Sequence, residues 1–286
     1  MQHGPVVRRR KLGAELRALR TTAGITSGEA ARLVGWHQSK VSRIETGTSG
    51  AKPADVRLLL DAYGVDDDPL RELLVMLARP EDPGGRPHWW HAYRGVLPPA
   101  YRDFINLESQ ASAMRTLETT VIPGLLQTPE YAREVTRAAG DGTSAERLET
   151  LVEVRLARQD VLRGDPPLKL SAVLDEAVLR RQVGGPGVMA RQLSRLTEAA
   201  RLPHVRLQVL PFAAGAHIGV TGPFVIFSFA STSDLDVVVL DHLTSSLHLE
   251  RKEDLEAYTE AFNALLIHAL SPEDSLDFIA ATAAGA

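Results

Sequence analysis

The residues whose types and spacing suit chemistry are Gln38, Ser39, Lys40, Ser42 and Arg43, set around the apolar pair Val41 and Ile44. On a helix Val41 and Ile44 fall three apart on one inward face, which leaves the five polar groups outward. Amide, hydroxyl, ammonium and guanidinium groups gathered in this way donate to and accept from base edges and phosphate oxygens. Gln38, Ser39 and Lys40, at the start of the helix, suit base reading, and Ser42 and Arg43 suit phosphate. Spacing alone leaves open an ordinary helical hairpin with a polar outer face.

No comparable set points to bond making. The sequence has no HExxH pair, no Walker-type phosphate loop and no nucleophile elbow. Asp241 and His242 are neighbours on a predicted strand and point to opposite faces, as do Asp175 and Glu176, and His217 joins the first pair only through the fold. Gly184-Gly-Pro-Gly187 reads as a turn before a helix rather than a phosphate cradle. No catalytic residue, metal ligand or cofactor is assigned. The absence of cysteine removes thiolate chemistry, disulfides and cysteine-ligated zinc, and suits a reducing cytoplasm.

The elements that must hold the polar face are short helices. Leu12, Leu16 and Leu19 recur at helical spacing between Arg10 and Ala23, and Gly24 stops that helix. Thr26 stands three residues before Glu29, a capping box that opens a second helix over Ser27 to Val34. Ala31 is small where the next helix must cross, Gly35 permits a positive φ in the turn, and a third helix follows over Gln38 to Glu45. Two short helices joined in this way form a helix-turn-helix. Charge agrees with a polyanionic partner: residues 1–60 carry a net +7, while the other 226 carry −11. Arg8, Arg9, Arg10 and Lys11 precede the first helix and read either as a phosphate-binding or minor-groove arm or as a solvated tail.

The stretch LGAELRALRTTAGITSGEAARLVGWHQSKVSRIETG resembles the phage-repressor-like, XRE-type helix-turn-helix family. The resemblance implies an all-α domain of five helices, with the last two at about Pro53 to Tyr63 and Pro69 to Ala78. It also implies that Arg17 pairs with Glu45 to brace the recognition helix. Ser27 stands where relatives often place a glutamine on phosphate, and His37 stands at the usual Ser or Thr cap.

Three prolines and two glycines in residues 79–87 read as a linker. Beyond it, Trp89, Trp90 and Tyr93 read as packing aromatics. The spacing of Phe104, Leu107, Ala111, Met114 and Leu117 predicts one helix from Tyr101 to Glu118. Further helices are expected at Glu130 to Ala139, Ala145 to Leu162, Val188 to Arg201 and Lys252 to Leu270. Strands are expected at Leu168 to Leu174, Val205 to Leu210, Pro223 to Phe229 and Leu235 to Leu240. This second domain is therefore mixed α/β with a small sheet, and the whole chain is α+β. The Gly-rich connection Pro211 to Pro223 is either a ligand or partner loop, with Phe212, His217, Gly219 and Gly222 as its candidates, or a hairpin loop packed on the sheet.

The ordered segments WWHAY, INLESQA, VIPGLLQTPEYAR, LDEAVLRR, QVLPFAAGAHIG and GPFVIFSF resemble the DUF5753 (Scr1-type antitoxin-like) domain, which follows a helix-turn-helix in many actinobacterial regulators. The resemblance implies a transcriptional regulator, with a small DUF397-type protein as a partner. Where relatives place a Tyr and a Glu near the fourth strand, this chain reads Val238-Val-Leu-Asp-His242.

The expected organisation is a basic arm at 1–11, a helix-turn-helix domain at 12–78, a linker at 79–87, a regulatory or interaction domain at 88–280 and a tail at 281–286. One reading is a regulator of double-stranded DNA acting as a homodimer, because this motif usually reads a two-fold operator. The other is an antitoxin-like protein that binds a small partner and uses DNA binding for autoregulation. No apolar run reaches the roughly 20 residues of a membrane span and no apolar segment follows the basic start, so a cytoplasmic protein is expected.

Overall fold

The computed structural model describes residues 6–78, 89–93, 95–140, 144–229, 236–242 and 245–284. The chain divides into two compact units, Met1–His91 and Ala92–Ala286. The expected linker at 79–87 lies outside the described residues.

The first unit holds five helices: α1 (Val6–Thr22), α2 (Ser27–Leu33), α3 (Gln38–Glu45), α4 (Pro53–Ala62) and α5 (Asp68–Leu77). Leu12, Leu16, Ala31, Val41, Ile44, Val56, Leu59, Leu60 and Leu74 are buried and form its core. Close approach decides the pairing of α1 with α3. A Cβ on Gly13 would sit 2.6 Å from the Glu45 carbonyl oxygen and against that of Ile44, so only glycine lets the two backbones meet.

The basic arm is corrected by this packing. Arg8, Arg9, Arg10 and Lys11 belong to the first two turns of α1. The helix packs closely here: a Cβ on Gly47 would stand 2.9 Å from the Arg10 Cα.

A 3-10 turn at Trp89–Tyr93 spans the division between the units, and the second unit starts within it at Ala92. It continues with α6 (Pro99–Gln110), β1 (Ala113–Glu118), α7 (Pro129–Ala139), α8 (Ala145–Ala157) and a 3-10 turn at Arg158–Leu162. Then come β2 (Lys169–Asp175), α9 (Glu176–Arg180), α10 (Pro186–Ala199) and β3 (Val205–Leu210). The chain ends with β4 (Phe224–Ser228), β5 (Val237–Asp241), β6 (Ser246–Leu249), α11 (Lys252–His268) and α12 (Pro272–Ala284). The six strands form one sheet in the order β3-β2-β1-β4-β5-β6. β1, β2 and β3 run parallel, and the pairs β1 with β4, β4 with β5 and β5 with β6 are antiparallel.

The single helix expected from Tyr101 to Glu118 is two elements. Ala111 is extended, and the residues beyond it form β1, the strand between β2 and β4. Met114, Thr116 and Leu117 are buried on both faces of that strand, so alternation is lost and the three-residue spacing of Met114 and Leu117 imitates a helix. The expected tail at 281–286 also changes, because α12 extends to Ala284. On one face of the sheet Leu117, Val173, Leu210, Phe224, Ile226 and Val238 pack with Phe262 and Leu265 of α11. On the other, Phe104 of α6 meets Phe227 edge-on at 5.3 Å between centroids.

Candidate nucleic-acid interface

Local chemistry fixes the two helices of the motif. Thr26 Oγ1 accepts the Glu29 amide hydrogen at 3.2 Å, and the Thr26 amide donates to Glu29 Oε2 at 2.8 Å, closing the capping box that starts α2. The Thr26 hydroxyl also donates to Glu29 Oε2 at 2.6 Å, and this bond together with the one from the Thr26 amide holds the Glu29 carboxyl below its usual range. Gly35 at φ 70 makes the turn, in the left-handed region that other residues avoid. His37 precedes α3 without a side-chain cap bond.

Val41 and Ile44 turn inward at 0% and 1% exposure, and Gln38, Ser39, Ser42 and Arg43 remain exposed. Gln38 Nε2 donates to Ser27 Oγ at 3.0 Å, which sets the heads of α2 and α3 side by side. Lys40 differs from its neighbours. Its ammonium lies 3.0 Å from Asp55 Oδ1 and 3.5 Å from the centroid of the Trp36 ring. Asp55 also accepts the Lys52 amide hydrogen at 3.0 Å, opening α4, so this contact ties α3 to the next helix.

Glu45 closes α3 inside the unit, and its partner is Arg20 rather than Arg17. Arg20 Nε and Nη2 donate to the two Glu45 oxygens at 2.7 and 2.9 Å, while Nη1 donates to the Ile25 carbonyl at 2.7 Å. Tyr63 Oη donates to Glu45 Oε1 at 3.4 Å. The hydrogen bond to Glu45 pushes the Arg20 guanidinium up, and burial pushes the Tyr63 phenol up. The signal was present in the sequence: Leu12, Leu16 and Arg20 lie four apart on one row, whereas exposed Arg17 is about 100° round the helix from Leu16.

In the second unit the connection Pro211 to Pro223 folds into two 3-10 turns, Phe212–Ala214 and Ile218–Thr221. His217 Nδ1 accepts the Gly219 amide hydrogen at 3.1 Å, so the imidazole acts as a cap. Gly219 is buried against the sheet, where a Cβ would stand 2.8 Å from Leu117 Cδ2, and Gly222 takes φ 122. Phe212, Ile218 and Val220 project outward at 60%, 50% and 74% exposure. Asp175 caps α9 through the Ala177 amide at 2.8 Å, and Asp241 accepts from the Ser246 hydroxyl. Among the described residues no three His, Asp or Glu converge as metal ligands.

A buried polar network ties α6 to the 3-10 turn after α8 and has no counterpart among the residues singled out in the sequence. Arg158 donates to both Glu108 oxygens at 2.8 and 2.7 Å and to Tyr101 Oη at 2.7 Å. Nearby, burial pushes the half-buried Glu118 carboxyl up to about 8, against opposing pulls from the Thr116 hydroxyl, Arg158 and Arg155. The separations of 50 and 57 residues in chain carry no local signature.

A helix-turn-helix domain profile matches residues 11–74, and the profile of a domain of unknown function, DUF5753, matches residues 101–281. No curated protein and no solved structure matches the chain. The helix-turn-helix domain points to a DNA-binding regulator. No helix among the described residues is long and apolar enough to cross a membrane. With well over half its length matched, the chain belongs to the DUF5753 family, carrying a helix-turn-helix domain before the DUF5753 domain.

Proposed function

We propose that this protein is a sequence-specific transcriptional regulator that binds double-stranded DNA as a homodimer and uses its second unit to receive an effector or a protein partner. The observation that carries the reading is the outward face of α3, where exposed Gln38, Ser39, Ser42 and Arg43 stand on a helix locked from behind by Val41, Ile44 and the Arg20–Glu45 pair. Gln38 and Ser39 read bases, while Ser42, Arg43 and Ser27 hold phosphates. Lys40 reaches a base only by leaving Asp55 and Trp36. A homodimer follows from the size of one such module, which buries too little surface for tight specific binding alone.

The test is binding to genomic fragments, including the protein's own promoter, across a salt series. A saturable complex that resists competitor, with altered base preference in Gln38→Ala or Ser39→Ala and a uniformly weaker complex in Arg43→Ala, supports the reading. Weak, steeply salt-dependent binding indifferent to sequence overturns it. The exposure of the apolar residues Phe212, Ile218 and Val220 along one connection favours a second reading, in which the second unit captures a small protein partner in antitoxin fashion and DNA binding serves autoregulation. Co-purification of a small protein, lost in Val220→Asp, would support that version.

A further inference from the structure

One row of the sheet changes character along its length. Arg206 of β3, Ser171 of β2, Arg115 of β1, Ile226 of β4 and Val238 of β5 are in register across five strands. Ile226 and Val238 are fully buried in the cluster with Phe262 and Leu265 of α11. On the three parallel strands the same row is basic and only partly covered: Arg206 is exposed, and Ser171 and Arg115 are half-buried. One row further out, Ala113 pairs with Lys169, which is exposed. These residues, with Pro167, Pro203 and His204, line a pocket of about 410 Å³, within the size range of small-molecule sites.

The three cations line one pocket. Adjacent strands lie about 4.8 Å apart, so the backbones of Arg115 and Arg206 flank that of Ser171 symmetrically. No acid lines the pocket, and Arg115, Lys169 and Arg206 form no ion pair among the described residues. Arg206 donates Nε to Gln208 Oε1 at 2.8 Å, and Gln208 is itself held by the Leu270 carbonyl at 2.8 Å, which leaves the terminal guanidinium nitrogens directed by a fixed stem. His204 is anchored through Nε2 on the Leu162 carbonyl at 2.9 Å. Asp236, the acid that attracts Arg115, already accepts from Ser228 Oγ at 2.7 Å and the Phe229 amide at 3.1 Å.

We infer that this pocket on the parallel half of the sheet binds the phosphate group of a small molecule, held between Arg115 and Arg206 over the Ser171 hydroxyl with Lys169 at the rim. Three cations exceed what one carboxylate neutralises. A phosphomonoester carries about −1.5 to −2 charges and three acceptor oxygens, which matches two guanidinium forks and a hydroxyl. The inference deepens the effector role proposed for the second unit. Its deciding titration contains no DNA, so failure of operator recognition leaves it standing.

The experiment is titration of the full chain with pyrophosphate by calorimetry, against potassium chloride at matched ionic strength, with Arg206→Gln, Ser171→Ala and Arg115→Lys alongside. Arg206 is exposed, so Arg206→Gln keeps the test open should the half-buried Arg115 variant misfold. Saturable binding, weakened about ten- to hundredfold by Arg206→Gln, is expected. No saturable binding, or binding indifferent to Arg206→Gln, overturns the inference. A loss of affinity for DNA in Arg206→Gln without any pyrophosphate binding also overturns it, assigning the cations to nucleic-acid backbone instead.

Discussion

Replacing Arg20 by alanine tests whether the recognition helix is braced from within. The Arg20 and Glu45 side chains are 13% and 4% exposed, and the pair is bidentate at 2.7 and 2.9 Å. Removing Arg20 leaves the buried carboxylate with only the Tyr63 hydroxyl at 3.4 Å, and also strips the Ile25 carbonyl of its donor. Breaking a buried pair from one side costs about 3–5 kcal/mol, because the remaining charge stays desolvated. At about 1.4 kcal/mol per decade, a loss near 4 kcal/mol lowers the protection of the α3 amides against hydrogen exchange about a thousandfold in the full chain. Arg17→Ala, on the exposed side of α1, should stay within about 0.5 kcal/mol of the parent. The double replacement Arg20→Met with Glu45→Met should recover most of the loss, since no charge then remains buried. Equal damage from Arg17→Ala and Arg20→Ala, or a loss below about 1 kcal/mol for Arg20→Ala, would refute the bracing argument.

Two further perturbations probe the packing and the buried carboxyl. Gly13→Ala should gain about 1 kcal/mol of helix propensity yet lose more through its approach to the α3 carbonyls, lowering the thermal midpoint. Gly28→Ala, whose Cβ would meet only Thr26 Oγ1 at 4.0 Å, should be neutral or slightly stabilising in the same measurement. Glu118, held up at about 8 by burial, binds its proton more tightly folded than unfolded, so its contribution to stability falls as pH rises from about 4.3 towards 8. Glu118→Gln removes that slope. Its stability relative to the parent, read from melting curves at pH 5, 7 and 8.5, should therefore rise with pH and level off above 8; a difference constant across pH would show the carboxyl to be ionised throughout.

The helix-turn-helix was legible in the chain because its signals are local. The capping box of Thr26 and Glu29 spans one helical turn, the positive φ of Gly35 needs no distant partner, and Val41 and Ile44 are oriented by helical periodicity alone. The ordered motifs of the second domain were equally legible and agree with the DUF5753 match. Contacts between elements were not. Arg20 rather than Arg17 meets Glu45 because of how α1 lies across α3, Lys40 is drawn off the reading face by Asp55 fifteen residues away, and Arg10, in the opening turns of α1, packs against Gly47. Only the sheet order turned Met114 and Leu117 from an apparent helix into β1, and only its register brought Arg115, Ser171 and Arg206 onto one row. Those three residues are separated by 56 and 35 positions in the chain, a distance over which periodicity and capping carry no information, so tertiary packing alone decides that they share a pocket.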